Sequence, residues 1–504
     1  MGAGFSCLRM YTVNTPDFSP FEQVSPESVG IPSKTIVAAL DHLTDQRVQM
    51  HSLLILRQGK LALEAYWSPW ERKTLHRMYS VTKSFVSLAI GILVEAGKLK
   101  LDDPIIKYFP EKLPGGGIPP QLSAMTIRHM LTMATCHTKT TYKEGAHGDF
   151  IGSFKKDWLG SFFTVKPNHD PGSFFIYDTS ATHTLGALVE KITSMALIDF
   201  LKESFLNEIG VSEDTHILLD NQGTSIGGSG LMMRPIDLLA VLHFLNEGGN
   251  ERLPSSYIRE ATGKQIETCF TNSRNSVESS QGYGYQFWRT THNGWAMLGM
   301  GGQMAISIPE KQLCIVTTAD TQGSAQADDA IYHAIWNIVD TIENPVIAED
   351  SDARQNLEYK AKGLSLQAVQ RQLSENTIQE HINNKTYHLE PNSMGITTAM
   401  FSFTSDTGHL TLQKSDKSYH FTFGLGFNTF TELQDPMALS SPAAGSGGWI
   451  TTNNLGIIIQ FLGKELGSLQ LEASFSAYRI SLCFRLFGEL SFTGFTGVAS
   501  GSTT

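Results

Sequence analysis

Residues 78–93 read MYSVTKSFVSLAIGIL, and the reading of this stretch decides the fold. Phe85, Val86, Leu88, Ala89, Ile90, Ile92 and Leu93 cover nearly every face of a helix expected over 81–96, with Gly97 ending it. A helix apolar all round is a buried one. Lys83 falls one turn after Ser80 on the same face, which sets a buried amine beside a hydroxyl at a helix N-terminus. Burial disfavours an ammonium and lowers its pKa, by up to ~3–5 units at full burial. A neutral lysine can then take the serine proton, as a weak hydroxyl nucleophile requires before it attacks a carbonyl. The helix N-terminus adds positive potential and a backbone amide suited to an oxyanion. The structural alternative makes Ser80 an N-cap and Lys83 a snorkelling side chain.

Working outward, 34–43 (KTIVAALDHL) reads as a helix, and 52–67 (SLLILRQGKLALEAYW) as a hairpin around a Gly59 turn. A second hairpin follows much later, with apolar runs 302–309 and 312–318 around Glu310-Lys311. Ile331, Ile335, Ile338 and Ile342 then recur at helical spacing. Between the two hairpins lie helical patterns over 126–133, 181–192 and 236–245, separated by Gly- and Pro-bearing loops. An α/β sheet interrupted by a helical insertion is the arrangement these signals predict. Beyond a polar connector the composition shifts to Phe, Thr, Ser and Gly with alternating patterns, as in 399–403 and 420–423. Short strands at such spacing predict a β-sandwich or barrel. The expected domains are 1–345 (sheet parts 20–105 and 281–345, insertion 106–280), a connector 346–383, and a C-terminal all-β domain 384–504.

Composition narrows the function classes. With 504 residues, 41% apolar and 17% charged, the chain is neither disordered nor fibrous. A formal charge of -11 argues against a nucleic-acid partner. No apolar run is long enough to span a bilayer, so no membrane partner is expected. Five scattered cysteines without a C-x-x-C pair speak against a disulfide framework or a thiolate zinc site, and neither a metal nor a cofactor is expected. The first six residues fit a loose myristoylation pattern that Gly-rich openings often match by chance. No secretory signal is visible, and a cytoplasmic protein is expected.

Two further segments bear on chemistry. In 171–179 (PGSFFIYDT), Tyr177 ends an apolar run and is placed either to aim its hydroxyl into a cleft or to pack half-buried. In 297–303 (MLGMGGQ), the glycines permit close backbone approach to a ligand and a second oxyanion amide, or else mark a bulge or turn. The rivals are weaker. Ser153 with Lys156 repeats the Ser-x-x-Lys spacing in a solvated stretch, where lysine is a poor base. Gly223-Thr224-Ser225-Ile226-Gly227 matches a nucleophile elbow, but no helix can begin before Pro235. His137, His147 and Asp149 lack metal spacing, and no phosphate-binding loop is present.

The order of these segments resembles the serine β-lactamase, penicillin-binding and esterase superfamily, especially its class-C-like branch, over about residues 20–345. The likeness rests on 78–83, 97–104 (GKLKLDDP), 126–133 (TIRHMLTM), 228–231 with 235–237, and 282–288 (GYGYQFW). It implies an α/β sandwich with an antiparallel sheet plus an all-helical subdomain, the site lying in the cleft between them. It also implies roles: Ser80 as acylated nucleophile, Lys83 as its base, Tyr177 as proton shuttle, and the amides of Ser80 and Met300 as oxyanion hole. Thr179, Gly299 and Gly301 would face the substrate. The family's Tyr-x-Asn is here Tyr177-Asp178-Thr179, and its Lys-Thr-Gly is Met297-Leu298-Gly299. Loss of that lysine removes the partner of a substrate carboxylate. An ester or linear amide is therefore expected in place of a β-lactam or D-amino-acid peptide, with an inactive scaffold as the non-enzyme alternative. The β-rich part carries no motif tied to chemistry, and is open to covering the cleft, binding a partner or forming homo-oligomers.

Overall fold

The two hairpins come together in one six-stranded antiparallel sheet, ordered Lys60–Tyr66, Gln49–Arg57, Leu313–Asp320, Gln303–Ile308, Trp295–Gly299 and Trp288–Arg289. The computed structural model describes residues 19–143, 157–269, 276–324, 326–370, 377–434, 440–476, 478–488 and 494–503. Gln58 and Gly59 join the first hairpin with φ of 53° and 71°, the paired positive values of a turn whose twist matches its strands. Helices cover both faces. Leu54 and Leu56 pack with Phe85, Ile90, Leu238 and Leu242 on one side. Leu53 and Ile55 pack with Ile36, Leu40, Ile331 and Ile335 on the other. Burial on both faces is why these strands read as unbroken apolar runs rather than alternating ones.

Between the hairpins the chain forms the helices Thr82–Glu95, Ile127–Leu131, Trp158–Thr164, Thr179–Thr193, Pro235–Asn246 and Ser255–Thr262, among shorter turns. This insertion is not purely helical, as the resemblance had implied. Within it His216–Ile217 and Leu231–Met233 pair with each other and with His76–Arg77 ahead of it in a small antiparallel sheet, with strands too short for any periodicity to register.

The two sheets meet at a buried histidine pair. His51 Nδ1 lies 2.8 Å from His76 Nε2, and His76 Nδ1 lies 3.0 Å from the Arg77 carbonyl. The carbonyl only accepts, so His76 Nδ1 carries its proton and His76 Nε2 accepts from His51 Nδ1–H. His51 stacks on Trp70 and His76 packs tilted against it. Burial drives both imidazoles down, His76 to about 3, so the folded pair stays neutral where the unfolded chain, at about 6.5, binds protons. The pair's contribution to stability is therefore complete above about pH 6.5 and is lost as pH falls from there towards 3. The melting temperature should follow that slope, and a His76→Asn chain should lose part of it; equal slopes in the two proteins would contradict the assignment.

Residues after the sheet lead through the helix Ser351–Lys362, whose Leu357 joins the sheet's outer core, to the helix Thr377–Ile382. Ten strands from Thr386–Leu389 to Gly497–Ser502 then form one sheet closed into a barrel, antiparallel except at the closing pair, which is parallel. The first strand pairs with the last, and Gly424 and Leu425 seal the ring against Ser446 and Gly447. Phe401, Phe421, Phe423, Trp449, Phe475 and Phe484 fill its interior. The barrel docks on the rest of the chain through Trp70, Tyr79 and Leu366, packed with Ala444, Leu462 and Leu466. Among the described residues no helix is long and apolar enough to cross a membrane.

Candidate active site

Ser80 sits in a single turn, Tyr79–Val81, that opens the helix Thr82–Glu95, in which residues 82–93 are all buried. Tyr79 enters the turn at φ 45°, a left-handed conformation a bulky residue holds only when its surroundings impose it. The restraint is visible: Thr82 Oγ1 donates to the Tyr79 carbonyl at 2.6 Å and accepts from the Leu231 amide at 3.0 Å. Met78 N donates to the Leu231 carbonyl at 2.9 Å. The half-buried Ser80 hydroxyl accepts from Lys83 Nζ at 3.0 Å. Lys83 is 1% exposed, and its amine also donates to the Gly228 carbonyl at 2.6 Å. A long flexible side chain is thus held dry at both ends of its reach.

Tyr177 lies over the same amine, with Lys83 Nζ 4.9 Å from its ring centre. The ring is half-buried and stacks on Trp288 at 5.8 Å and 25°, beside Phe175 and Tyr283. Its backbone is pinned from both sides, Ile176 N donating to the Met133 carbonyl at 2.7 Å and Asp178 N to Met133 Sδ at 3.2 Å. Asp178 caps the helix Thr179–Thr193 and accepts from Thr135 Oγ1 at 3.1 Å and the Ser180 amide at 2.9 Å. Burial raises the Asp178 carboxyl against those bonds and the nearby His137. Thr179 is half-buried, and a Cβ on Gly228 would stand 2.3 Å from its methyl carbon. It therefore packs on the peptide that holds Lys83.

The opposite wall is the edge of the sheet. A Cβ on Gly299 would lie 2.3 Å from the Met78 carbonyl, so the close approach this glycine permits is to the turn carrying Ser80. Gly301 and Gly302, both at φ 85°, turn the chain after Met300. Gln303, fully buried, braces that turn: Nε2 donates to the carbonyls of Met300 at 2.9 Å and Ala319 at 2.8 Å, and Oε1 accepts from Ala319 N at 3.2 Å. Gln286 does the same for the far side. Its Nε2 donates to the carbonyls of Met130 and Leu131, its Oε1 accepts from Thr182 Oγ1 at 2.7 Å, and its own carbonyl accepts from Ser84 Oγ at 2.6 Å. Gly228, Gln286 and Gln303 lie in segments the sequence reading quoted, but it gave them no role. A glutamine flanked by strongly apolar neighbours was the available signal, since a buried amide needs partners. Met297, in the place of the family's lysine, is fully buried in the core and offers no charge to the cleft.

Ser153, Lys156, His147 and Asp149 lie outside the described residues. His137 is a core residue whose Nε2 lies 3.0 Å from the Phe162 carbonyl. Ser225 is 1% exposed and bridges back to Leu219, and the next helix is Pro235–Asn246, so the elbow geometry is absent there.

A buried serine–lysine pair between a helix-covered antiparallel sheet and a helical insertion defines a class of protein, and the beta-lactamase family model matches residues 36–340. The chain belongs to the beta-lactamase family, whose members are in general serine hydrolases. It is 31% identical to Esterase EstB of Burkholderia gladioli over 204 residues, which covers 34% of this chain and 50% of that protein. It is 22% identical to the 6-aminohexanoate-dimer hydrolase of Paenarthrobacter ureafaciens over 248 residues, 46% of this chain and 62% of that one. The chain thus spans half to three-fifths of the length of these curated relatives. A solved structure titled a putative 6-aminohexanoate-dimer hydrolase from Bacillus anthracis shares the fold, with a TM-score of 0.51 at 18% identity, over 69% of this chain and 92% of that one.

Proposed function

We propose that this protein hydrolyses esters or linear amides through an acyl-enzyme on Ser80. The observation that carries the reading is the 3.0 Å bond between Lys83 Nζ and Ser80 Oγ, held in a site that excludes water from the amine. Neutral Lys83 takes the Ser80 proton as Oγ attacks the substrate carbonyl. The amides of Ser80 and Met300 receive the oxyanion. Tyr177, against the same amine, passes the proton to the leaving group and later draws one from the water that frees the acyl group. Gly301 keeps backbone open to the substrate beside Gly299, and Thr179 borders it opposite. The domain division at 345 and 383 belongs to the same reading, with 1–345 as catalytic part.

The buried Met297 favours esters and uncharged linear amides over β-lactams, because a substrate carboxylate would find no cationic partner at that position. A fluorophosphonate probe should label Ser80, and Ser80→Ala should abolish the label. Parallel assays with short p-nitrophenyl esters, linear ω-amino amides and a chromogenic cephalosporin then rank the substrates; rapid cephalosporin turnover would reverse the assignment from Met297. Tyr177→Phe should lose ~10²–10⁴-fold in kcat with an unchanged melting temperature. Wild-type turnover in that variant would take the proton-shuttle role from Tyr177.

A further inference from the structure

The barrel reaches the catalytic residues through one turn. Leu462 pairs with Leu466 across Gly463-Lys464-Glu465, at the tip of a hairpin between two barrel strands. The Leu466 amide donates to the Tyr79 hydroxyl at 3.0 Å, and Tyr79, 1% exposed, immediately precedes Ser80. The Lys464 carbonyl accepts from Arg77 Nη1 at 2.8 Å. Arg77 Nε in turn donates to the Ser229 carbonyl at 2.6 Å, one residue from the Gly228 carbonyl that holds Lys83. On the remaining side the Leu466 carbonyl accepts from Gln322 Nε2 at 2.9 Å. Gln322 follows Thr321, whose amide donates to the Gly301 carbonyl at 3.3 Å, and the Met300 side chain packs in the same cluster as Leu462 and Leu466. Three supports of the site therefore converge on residues 464–466: the turn under the nucleophile, the loop under the base, and the turn of the oxyanion strand.

We infer that the 462–466 turn of the barrel positions the catalytic residues, with Tyr79 as the positioning residue that transmits its hold to Ser80. The left-handed φ of Tyr79 gives this a physical basis. A residue in that conformation persists only where its surroundings over-determine it, and the hydroxyl bonded to Leu466 adds to the hold of Thr82 from 387 positions away. Tyr79 touches no substrate in this scheme; it sets where Ser80 Oγ stands relative to Lys83 and the Met300 amide. The barrel is then an integral part of the active site rather than an appended module. The inference deepens the proposed hydrolase reading and rests on it.

Tyr79→Phe in the full chain tests this, since it removes one oxygen and keeps the ring. A net hydrogen bond of ordinary strength predicts a fall of about 3- to 10-fold in kcat and in the rate of fluorophosphonate labelling, with KM unchanged. Amide exchange in peptides spanning 76–84 should speed up. Tyr387→Phe is the control: this buried barrel tyrosine has a hydroxyl with no hydrogen-bond partner among the described residues, and its loss should leave all three readouts unmoved. Gln322→Leu, which releases the Leu466 carbonyl from the other side, should reproduce the loss should Tyr79→Phe fail to fold. Wild-type kcat, labelling and exchange in whichever of the two folds would overturn the inference. A wild-type chain that never labels at Ser80 would instead sink the hydrolase reading, while the exchange measurement would still decide whether the turn holds residues 76–84.

Discussion

Lys83→Met is expected to lower hydrolysis by ~10²–10⁴-fold while the protein stays folded. Methionine matches the lysine stem in length and suits a site that is 1% exposed, so packing of the helix Thr82–Glu95 is kept. What disappears is the amine 3.0 Å from Ser80 Oγ and 2.6 Å from the Gly228 carbonyl. Without it the serine proton has no acceptor at bonding distance from Oγ that the proposed mechanism uses. The Gly228 carbonyl also loses its donor, a cost of ~1–3 kcal/mol that would show as a lowered melting temperature. Kinetics and thermal melts on the same preparation separate the two effects. A variant with wild-type kcat/KM on a p-nitrophenyl ester would end the assignment of Lys83 as base.

Gly299→Ala should be nearly as damaging, by a different route. The added carbon would stand 2.3 Å from the Met78 carbonyl and 3.0 Å from Gln303 Cβ. The first neighbour is backbone and cannot rotate away, so either the strand Trp295–Gly299 or the turn Tyr79–Val81 must shift. Either shift changes the spacing between Ser80 and the Met300 amide. A displacement approaching 1 Å near reacting atoms costs on the order of 10²-fold in rate, and overpacking a tight contact costs about 1–3 kcal/mol of stability. Assay of kcat together with the melting temperature checks both numbers. An unaltered kcat would mean that the sheet edge and the nucleophile turn move independently.

Much of the scaffold was legible because its signals are local. The Gln58-Gly59 turn, the all-round apolar helix after Ser80 and the isoleucine spacing from Ile331 each declare themselves within a few residues, and each takes part in the sheet and its two covering layers. The order of elements placed the two hairpins in one sheet, but the pairing of Gln49–Arg57 with Leu313–Asp320 was not read from the sequence. Two-residue strands such as His76–Arg77 carry no period and were invisible. The choice between sandwich and barrel also stayed open, since closure depends on Gly424 and Leu425 finding Ser446 and Gly447, a contact no local pattern encodes. In the candidate site the same division holds. The adjacency of Ser80 and Lys83 is a matter of helical spacing, whereas Gln286, Gln303 and Gly228 matter through partners from distant segments. Gly299 was noticed for the right chemical reason, close approach, but towards the Met78 carbonyl.

The bond between Tyr79 and Leu466 bears on the order of events at the ribosome. Ser80 and Lys83 are translated well before Lys464, Glu465 and Leu466, the turn inferred to steady them, and before the strands that complete the barrel. A chain translated through Gly301 would carry every group the proposed mechanism uses and still lack the clamp that aligns them, so its full rate would arrive only once the barrel turn is made.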